Sequence, residues 1–162
     1  MKIYLNSGRV KKEWTDYNGH MNLAFYIHLF DAGWEVLLQK FNMGETSAKT
    51  EKKTTFAVES HTTYDQEVKE GDEVDINLLF LDRDKKRLIY KLEMTHKLEG
   101  YRAATTEVCS LYVDLNIRKV SELELEKQKD IDKFIQENKN NFDPGNLTPV
   151  SYTHLTLPTN GC

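Results

Sequence analysis

The stretch NLAFYIHLFDAGWEVLLQKFNM, residues 22–43, carries the clearest helical period in the chain. Its apolar residues recur every three or four positions and form one stripe, with polar residues opposite. The stripe comprises Tyr26, Leu29, Phe30, Gly33, Trp34, Leu37, Leu38 and Phe41, and the polar side comprises His28, Asp31, Glu35 and Gln39. Asn22 can cap the start of this helix and Gly44 can end it. We therefore predict one long amphipathic helix in the first third of the chain.

Strand-like runs lie on both sides of this helix. Alternating apolar residues predict half-buried antiparallel strands. We predict one strand before the helix, at residues 3–14, and four after it, at residues 54–64, 73–81, 87–96 and 101–114. Hairpin turns are predicted at residues 82–86 and 98–100. The last four strands are expected to form a meander, and residues 45–53 form a polar connection. One long helix against one antiparallel sheet predicts an α+β fold.

The C-terminal part of the chain divides into two segments. Residues 121–138 combine apolar positions with many charges and predict an amphipathic helix that closes a domain of residues 1–138. Residues 139–162 are expected to form a disordered tail, because the apolar period is lost there. From about residue 149, the sequence PVSYTHLTLPT resembles one reading frame of a sequencing adapter, which favours an artefact over a genuine tail.

Composition narrows the classes of function. The 162 residues carry 22 basic and 26 acidic side chains, a net charge of -4 without long runs of one sign, so we expect no nucleic-acid partner. No stretch approaches the length of a membrane span or a secretory signal, so we expect no membrane association and a cytoplasmic location. Cys109 and Cys162 lack metal or disulfide spacing, and Cys109 is expected in the core. A small-molecule ligand is the remaining expectation.

The segment WTDYNGHMN, residues 14–22, joins the first strand to the long helix, and its polar density is unusual for a short connection. Asp16 offers a carboxylate, and Gly19 permits close approach of backbone to a ligand. The helix that starts near Asn22 presents unpaired N–H groups with partial positive charge. Attack on a carbonyl carbon needs a nucleophile or base and donors for the developing oxyanion, and this loop can supply both. Asp16 can equally be a turn residue that bonds its own backbone.

A family resemblance favours the first reading. The pattern Asp16-x-x-Gly19-His20-x-Asn22, followed by Tyr26, resembles the motif at the start of the helix in hot-dog thioesterases of the 4-hydroxybenzoyl-CoA type. Three later runs resemble the betainyl-CoA thioesterases of carnitine breakdown: Phe56-x-Val58-Glu59-Ser60-His61, Glu67-Val68-Lys69-x-Gly71-Asp72 and Lys86-Arg87-Leu88. The resemblance covers residues 8 to about 120. One departure is Leu23-Ala24, where relatives often carry more polar residues, and it bears on the shape of the pocket.

The resemblance implies a hot-dog fold, in which a sheet of about five strands wraps around the long helix. It implies a homodimer or homotetramer whose subunits pair edge to edge, with active sites at the interface. The substrate would be a small acyl-CoA, with no cofactor beyond the coenzyme A of the substrate. Asp16 would act as nucleophile or as base for water, and the backbone N–H of Leu23 would polarise the thioester carbonyl.

Further residues are candidates for binding or positioning. His20, beside the carboxylate, is a candidate catalytic residue that can transfer a proton or orient the loop. The expected substrate contacts are Trp14, Tyr17, Gly19, Asn22, Glu59 and His61. Glu59 and His61 should share one strand face, which can also be an exposed face. Arg83, Lys86 and Arg87 can hold coenzyme A phosphates or form a solvated turn.

The residues around Asp16 also suggest the charge of the acyl group. Trp14 and Tyr17 flank Asp16, and Phe25, Trp34 and Glu59 are expected nearby. Aromatic faces and a carboxylate attract quaternary ammonium groups, so a small cationic acyl group such as betaine is expected. Trp34, on the apolar stripe, can instead be a core residue.

Three other functions compete with acyl-CoA hydrolysis. A hot-dog dehydratase would use a histidine and an acid, for which His20 and Glu35 are candidates. A non-catalytic acyl-CoA-binding protein can share the fold. A metal hydrolase would need a ligand pattern that the spacings of His20, His28, His61 and His96 do not provide, so no metal is expected.

Overall fold

The computed structural model describes residues 2–147, which form one antiparallel sheet and three helices. The strands are β1 (Ile3–Arg9), β2 (Lys53–Tyr64), β3 (Glu73–Arg83), β4 (Arg87–His96), β5 (Arg102–Asp114) and the short β6 (Lys119–Val120). The helices are α1 (Leu23–Lys40), α2 (Glu45–Thr50) and α3 (Leu125–Asn138). Single 3₁₀ turns occupy Lys12–Trp14, Lys139–Asn141 and Pro144–Asn146. Within residues 2–147, no helix is both long and apolar enough to cross a membrane.

The sheet has the order β1-β3-β4-β5-β2, with β6 attached to β5. Strands β3, β4 and β5 form a meander as predicted, but β2 pairs with β5 rather than with β3. The prediction of a four-strand meander is therefore wrong for β2. Alternation within a strand indicates which residues share a face, and it does not indicate which strand is the neighbour. As a result, residues 65–72 carry the chain from the β2 edge across to β3.

The apolar stripe of α1 packs on one face of this sheet and forms the main core. Trp34 stacks on Tyr90 of β4 with ring centroids 3.5 Å apart. A Cβ atom on Gly33 would come within 2.6 Å of Ile76 Cγ2 in β3, so glycine allows the helix to lie close to the sheet. The predicted α+β arrangement, with one long helix against a sheet of five main strands and a C-terminal helix, is confirmed.

Both ends of α1 depend on asparagine. The Asn22 side chain caps the start, where its Oδ1 accepts a hydrogen bond from Ala24 N at 3.0 Å. The helix ends at Lys40, and the left-handed residue after it is Asn42, with φ 55°. Gly44 has φ -99° and precedes α2, so its predicted role as the helix terminator is wrong. Helix α2 lies within the stretch predicted to be only a polar connection.

The packed domain extends beyond residue 138. Phe142 lies against Phe80 of β3, with ring centroids 6.1 Å apart. Leu147 is buried in a small cluster with Phe80, Ile89 and Cys109, on the side of the sheet opposite α1. The domain boundary therefore lies at or after Leu147 rather than at residue 138. The adapter-like segment and Cys162 lie outside the described residues.

A polar network ties α3 to the sheet through Glu124, the residue before the helix. Lys53 Nζ of β2 donates to Glu124 Oε1 at 2.8 Å, and Tyr112 Oη of β5 donates to Oε2 at 2.8 Å. Lys127 Nζ lies 3.3 Å from the same carboxylate. Burial alone would raise the pKa of Glu124, but these hydrogen bonds and the Lys127 charge outweigh it and lower the pKa to about 2.

This network predicts a specific loss of stability in acid. The contribution of ionised Glu124 is complete above its ordinary pKa of 4.5 and is lost as the pH falls towards about 2. Glu124→Gln should reduce the free energy of unfolding by about 1 kcal/mol at pH 6, allowing for solvent screening of this partly exposed side chain. The wild-type and variant curves should converge as the pH falls from 5 to 2, in denaturant titrations at each pH.

Glu126→Gln is the matched control, because Glu126 is an exposed carboxylate in the first turn of the same helix. Its stability curve should run parallel to that of the wild type. Parallel curves for Glu124→Gln as well would contradict the assigned role of the network.

Candidate active site

The segment between β1 and α1 forms a tight loop around Asp16. Asp16 N donates to His20 O at 3.0 Å, and Gly19 N donates to Asp16 O at 3.0 Å. The Asp16 side chain accepts a hydrogen bond from Asn18 N through Oδ1 at 2.8 Å, so the turn contact considered above is formed. Within residues 2–147, Oδ2 has no hydrogen-bond partner. Gly19 has φ 78°, a conformation that favours glycine.

The loop is fixed at its base on both sides. Thr15 pairs with Met21 as an isolated bridge, and Asn22 N donates to Trp14 O at 2.8 Å. Met21 N donates to Val68 O at 3.0 Å, and both side chains are buried. The crossover of residues 65–72 therefore holds the base of the loop.

The start of α1, just after the loop, offers an unpaired backbone donor. Asn22 uses its side chain for Ala24 N and its carbonyl for Phe25 N, at 3.0 Å each. The N–H of Leu23, the first residue of the helix, has no hydrogen-bond partner within residues 2–147. The Leu23 side chain is 60% exposed. The described residues thus hold an exposed carboxylate in the loop and an unpaired backbone donor at the start of α1.

His20 is held by an acid that sequence reasoning missed. Its Nε2 lies 2.9 Å from Glu67 Oε2, and its backbone bridges to Lys69. Tyr101 Oη in turn donates to Glu67 O at 2.7 Å. The structure therefore places His20 between the loop and the crossover, in a position to orient the loop. Glu67 begins the run Glu67-Val68-Lys69-x-Gly71-Asp72, and the resemblance of this run to the family was the signal in the sequence that could have identified it.

Trp14 and Tyr17 have very different surroundings. The Trp14 ring stacks on Phe25 with centroids 5.3 Å apart and meets the edge of His28 at 5.5 Å. Lys11 Nζ lies 5.2 Å from the Trp14 centroid, so this ring already faces a cation. Tyr17 is 96% exposed at the tip of the loop. Of these two rings, Tyr17 is the accessible one.

Glu59 and His61 lie on the face of the sheet that points away from α1. Ser60, between them, lines a cavity under α1 together with its pairing partner Val108. Side chains alternate along a strand, so Glu59 and His61 point to the opposite face, where the partner of Glu59 is Cys109. Within one chain, Glu59 therefore does not face the side of the sheet on which α1 packs, and the expectation that it lies beside the Asp16 motif is corrected. The shared face of the two residues agrees with the register.

The arginines proposed for coenzyme A are engaged within the fold. Arg83 forms two hydrogen bonds of 2.7 Å to the Asp132 carboxylate of α3, and these raise the pKa of Arg83. Arg87 is 2% exposed, and its Nε donates to Asp84 Oδ2 at 2.7 Å. Burial argues against the predicted contact of Arg87 with coenzyme A. Lys86, which is half-buried, stays a candidate.

Asp31 is a second candidate residue that the sequence pattern did not reveal. It was placed on the polar side of α1, but it lines the cavity between α1 and β2 beside Phe30 and Trp34. Its position three residues before Trp34 puts it at the border of the apolar stripe, which a strict division into two faces overlooks.

The residues proposed for the competing functions are separated. Glu35 Oε1 accepts hydrogen bonds from Gln39 Nε2 at 2.8 Å and Glu45 N at 2.7 Å, at the far end of α1 from His20. Within residues 2–147, no three His, Cys, Asp or Glu side chains cluster as metal ligands. In a single chain, the dehydratase pair of His20 and Glu35 is not assembled.

Comparison with protein families gives one match over most of the chain. Residues 10–138 match the family described as the Thioesterase-like superfamily. The predicted resemblance to hot-dog thioesterases is confirmed by this match.

Two relatives by sequence carry the same activity in their names. A betainyl-CoA thioesterase of Pseudomonas aeruginosa is 31% identical over 107 residues, which cover 66% of this chain and 67% of that protein. An L-carnitine dehydrogenase/betainyl-CoA thioesterase of Rhizobium meliloti is 31% identical over 106 residues, which cover 65% of this chain and 21% of that longer protein.

A solved structure extends the likeness to the whole chain. A hypothetical protein of Staphylococcus aureus, solved in complex with CoA, superposes with a TM-score of 0.78 at 24% identity. The match covers 98% of both chains. At this identity, it shows the fold that the two proteins share.

Proposed function

Because the chain belongs to the Thioesterase-like superfamily, we propose that it hydrolyses a small acyl-CoA thioester at the loop of residues 14–22. Homology supports the enzyme class, an acyl-CoA thioesterase. The choice of site is supported by the Asp16 carboxylate, whose Oδ2 has no hydrogen-bond partner within residues 2–147, and by the unpaired N–H of Leu23 seven residues later at the start of α1. A nucleophile or base and an oxyanion donor are the two elements that the reaction requires.

The proposed reaction can follow two routes with the same products. In the covalent route, an Asp16 oxygen attacks the thioester carbon, the C–S bond breaks, and water then hydrolyses the acyl anhydride. In the other route, Asp16 accepts a proton from the attacking water as the C–S bond breaks. In both, the CoA sulfur leaves as thiolate and takes up a proton, and the Leu23 N–H donates to the carbonyl oxygen as it gains negative charge.

We assign His20 a positioning role in this site. Its backbone oxygen accepts the Asp16 N–H, and its Nε2 contacts Glu67. Both contacts hold the loop that carries the carboxylate. His20 therefore acts on the reaction through the orientation of Asp16.

The proposed substrate is betainyl-CoA or a close analogue. The name of the Pseudomonas aeruginosa relative and the aromatic side chains near Asp16 support this choice. Of the two aromatic rings that flank Asp16, Tyr17 is accessible to a cation, whereas Trp14 already contacts Lys11. Coenzyme A enters as part of the substrate, and Lys86 is the proposed phosphate contact in the β3–β4 turn.

The enzyme is proposed to act as a dimer built on β2. This twelve-residue strand is at the edge of the sheet and exposes Phe56 and Val58 by 42% and 48%. The neighbouring helix α1 exposes Leu23 and Ile27. A long edge strand with exposed apolar residues favours pairing with another strand. Around a two-fold axis, β2 of one subunit can pair with β2 of the other. Such pairing would cover the side of the site that a single chain leaves open.

Asp16→Asn should lower kcat/KM for thioester hydrolysis by at least about a hundredfold, since it removes the base or nucleophile. The fold should persist because the Asn side-chain oxygen can still accept the Asn18 N–H. Thiol release gives the activity, and thermal unfolding checks the fold. Glu13→Gln, an exposed carboxylate three residues earlier, is the control and should retain activity. An Asp16→Asn enzyme with most of its turnover would refute the assignment.

Substrate preference is tested by thiol release from four acyl-CoAs: acetyl, betainyl, 3,3-dimethylbutyryl and decanoyl. Betainyl-CoA should have the highest kcat/KM, because its neutral isostere, 3,3-dimethylbutyryl-CoA, lacks the charge that aromatic rings attract. Far faster cleavage of decanoyl-CoA would reject the cationic substrate and keep the thioesterase. Absence of thiol release from all four would contradict the enzyme itself.

The oligomeric state should depend on the β2 edge. Wild-type protein should sediment as a dimer or a larger even-numbered assembly, and Val58→Asp should shift it to monomer by placing a charge in the interface. Leu98→Asp is the control, because Leu98 is 90% exposed on the β4–β5 turn. A wild-type monomer, or equal effects of both substitutions, would contradict pairing through β2.

A further inference from the structure

A cavity of about 120 Å³ opens between α1 and the edge strand β2. Its aromatic walls are Phe30, Trp34 and Tyr90, and Ser60 contributes a hydroxyl group from β2. The volume corresponds to about four water molecules at the density of the liquid, which suits a compact group such as trimethylammonium. The cavity is therefore large enough for the end of a small acyl group.

Asp31 is the carboxylate of this cavity, and no basic residue lines it. Asp31 is exposed, and within residues 2–147 it has neither a hydrogen bond nor an ion pair. Its charge reaches the aromatic wall: burial raises the pKa of Tyr90, and the negative charge of Asp31 raises it further. The cavity thus combines a carboxylate with aromatic side chains, and none of the described residues that line it is basic.

Asp31 lies further along α1 than Leu23, whose N–H is the proposed oxyanion donor. The two are eight residues apart, which is about 12 Å along the helix axis. Ile27, between them in sequence, lines the same cavity as Asp31. The cavity therefore runs along α1 from Asp31 towards the start of the helix.

We propose that this cavity binds the positively charged end of the acyl group and that Asp31 determines the preference for a cation. The proposal rests on the proposed hydrolysis of acyl-CoA at Asp16 and replaces Glu59 with Asp31 as the acid that recognises the substrate. Quaternary ammonium ions are favoured by aromatic faces as well as by the carboxylate. Anionic acyl groups are repelled, and neutral groups of the same shape gain only apolar contact.

The test compares betainyl-CoA with 3,3-dimethylbutyryl-CoA, which has the same shape and no charge. The ratio of their kcat/KM values isolates the charge of the acyl group. Asp31→Asn should lower this ratio by at least about tenfold, since it removes the countercharge. Asp31→Glu should restore part of the ratio. Glu59→Gln, which removes a carboxylate on the other face of the sheet, should leave the ratio unchanged.

Two results would overturn the proposal. One is a wild-type ratio near one, and the other is a ratio that falls with Glu59→Gln rather than with Asp31→Asn. Thermal unfolding of each variant shows that a changed ratio does not come from a damaged fold.

Binding separates this proposal from the proposed hydrolysis. In the Asp16→Asn background, calorimetry should show tighter binding of betainyl-CoA than of its neutral isostere, and Asp31→Asn should abolish the difference. If wild-type protein releases no thiol but shows this binding preference, the hydrolysis is wrong and the cation site stands. Equal binding of the two ligands in the Asp16→Asn background would reject the cation site even if hydrolysis is observed.

Discussion

The burial of one helix stripe against the sheet is the constraint on which the rest of the structure depends. Helix α1 has seven buried residues, and its contact with the sheet includes the stacked pair Trp34 and Tyr90. The sheet covers the apolar stripe of α1, and this contact fixes the position of the helix, including its first turn. The Asp16 loop is the short link between β1 and that fixed helix. The groups proposed to react are therefore positioned by hydrophobic packing several residues away.

The pairing of β2 with β5 has a second effect on the site. A hairpin between β2 and β3 would have kept their connection short and local. Instead, residues 65–72 cross towards β3 and pass the Asp16 loop, to which they supply Val68 O and the Glu67 carboxylate. The same topology leaves β2 at the edge, where its apolar residues are exposed. One choice of strand partner thus provides both the support of the loop and the surface proposed for dimerisation.

Local patterns in the sequence predicted local features well. The helix, its Asn22 cap and the loop around Asp16 follow from residues close together in the chain. The strand partner of β2 and the bidentate contact between Arg83 and Asp132 join residues far apart, and no local pattern encodes them. Burial argues against the predicted contact of Arg87 with coenzyme A, and this burial likewise depends on how the sheet is assembled. The cytoplasmic location rests on composition and stays a prediction.

The size of the cavity proposed to bind the acyl group depends on Gly33, a residue that does not line the cavity. The cavity lies between α1 and the sheet, and Gly33 sets how closely these two layers approach at Ile76. A side chain at this position would lift the helix and widen the space beneath Phe30 and Trp34, although it touches no ligand. The size of the group that the cavity can hold therefore depends on the spacing between the layers as well as on the residues that line it.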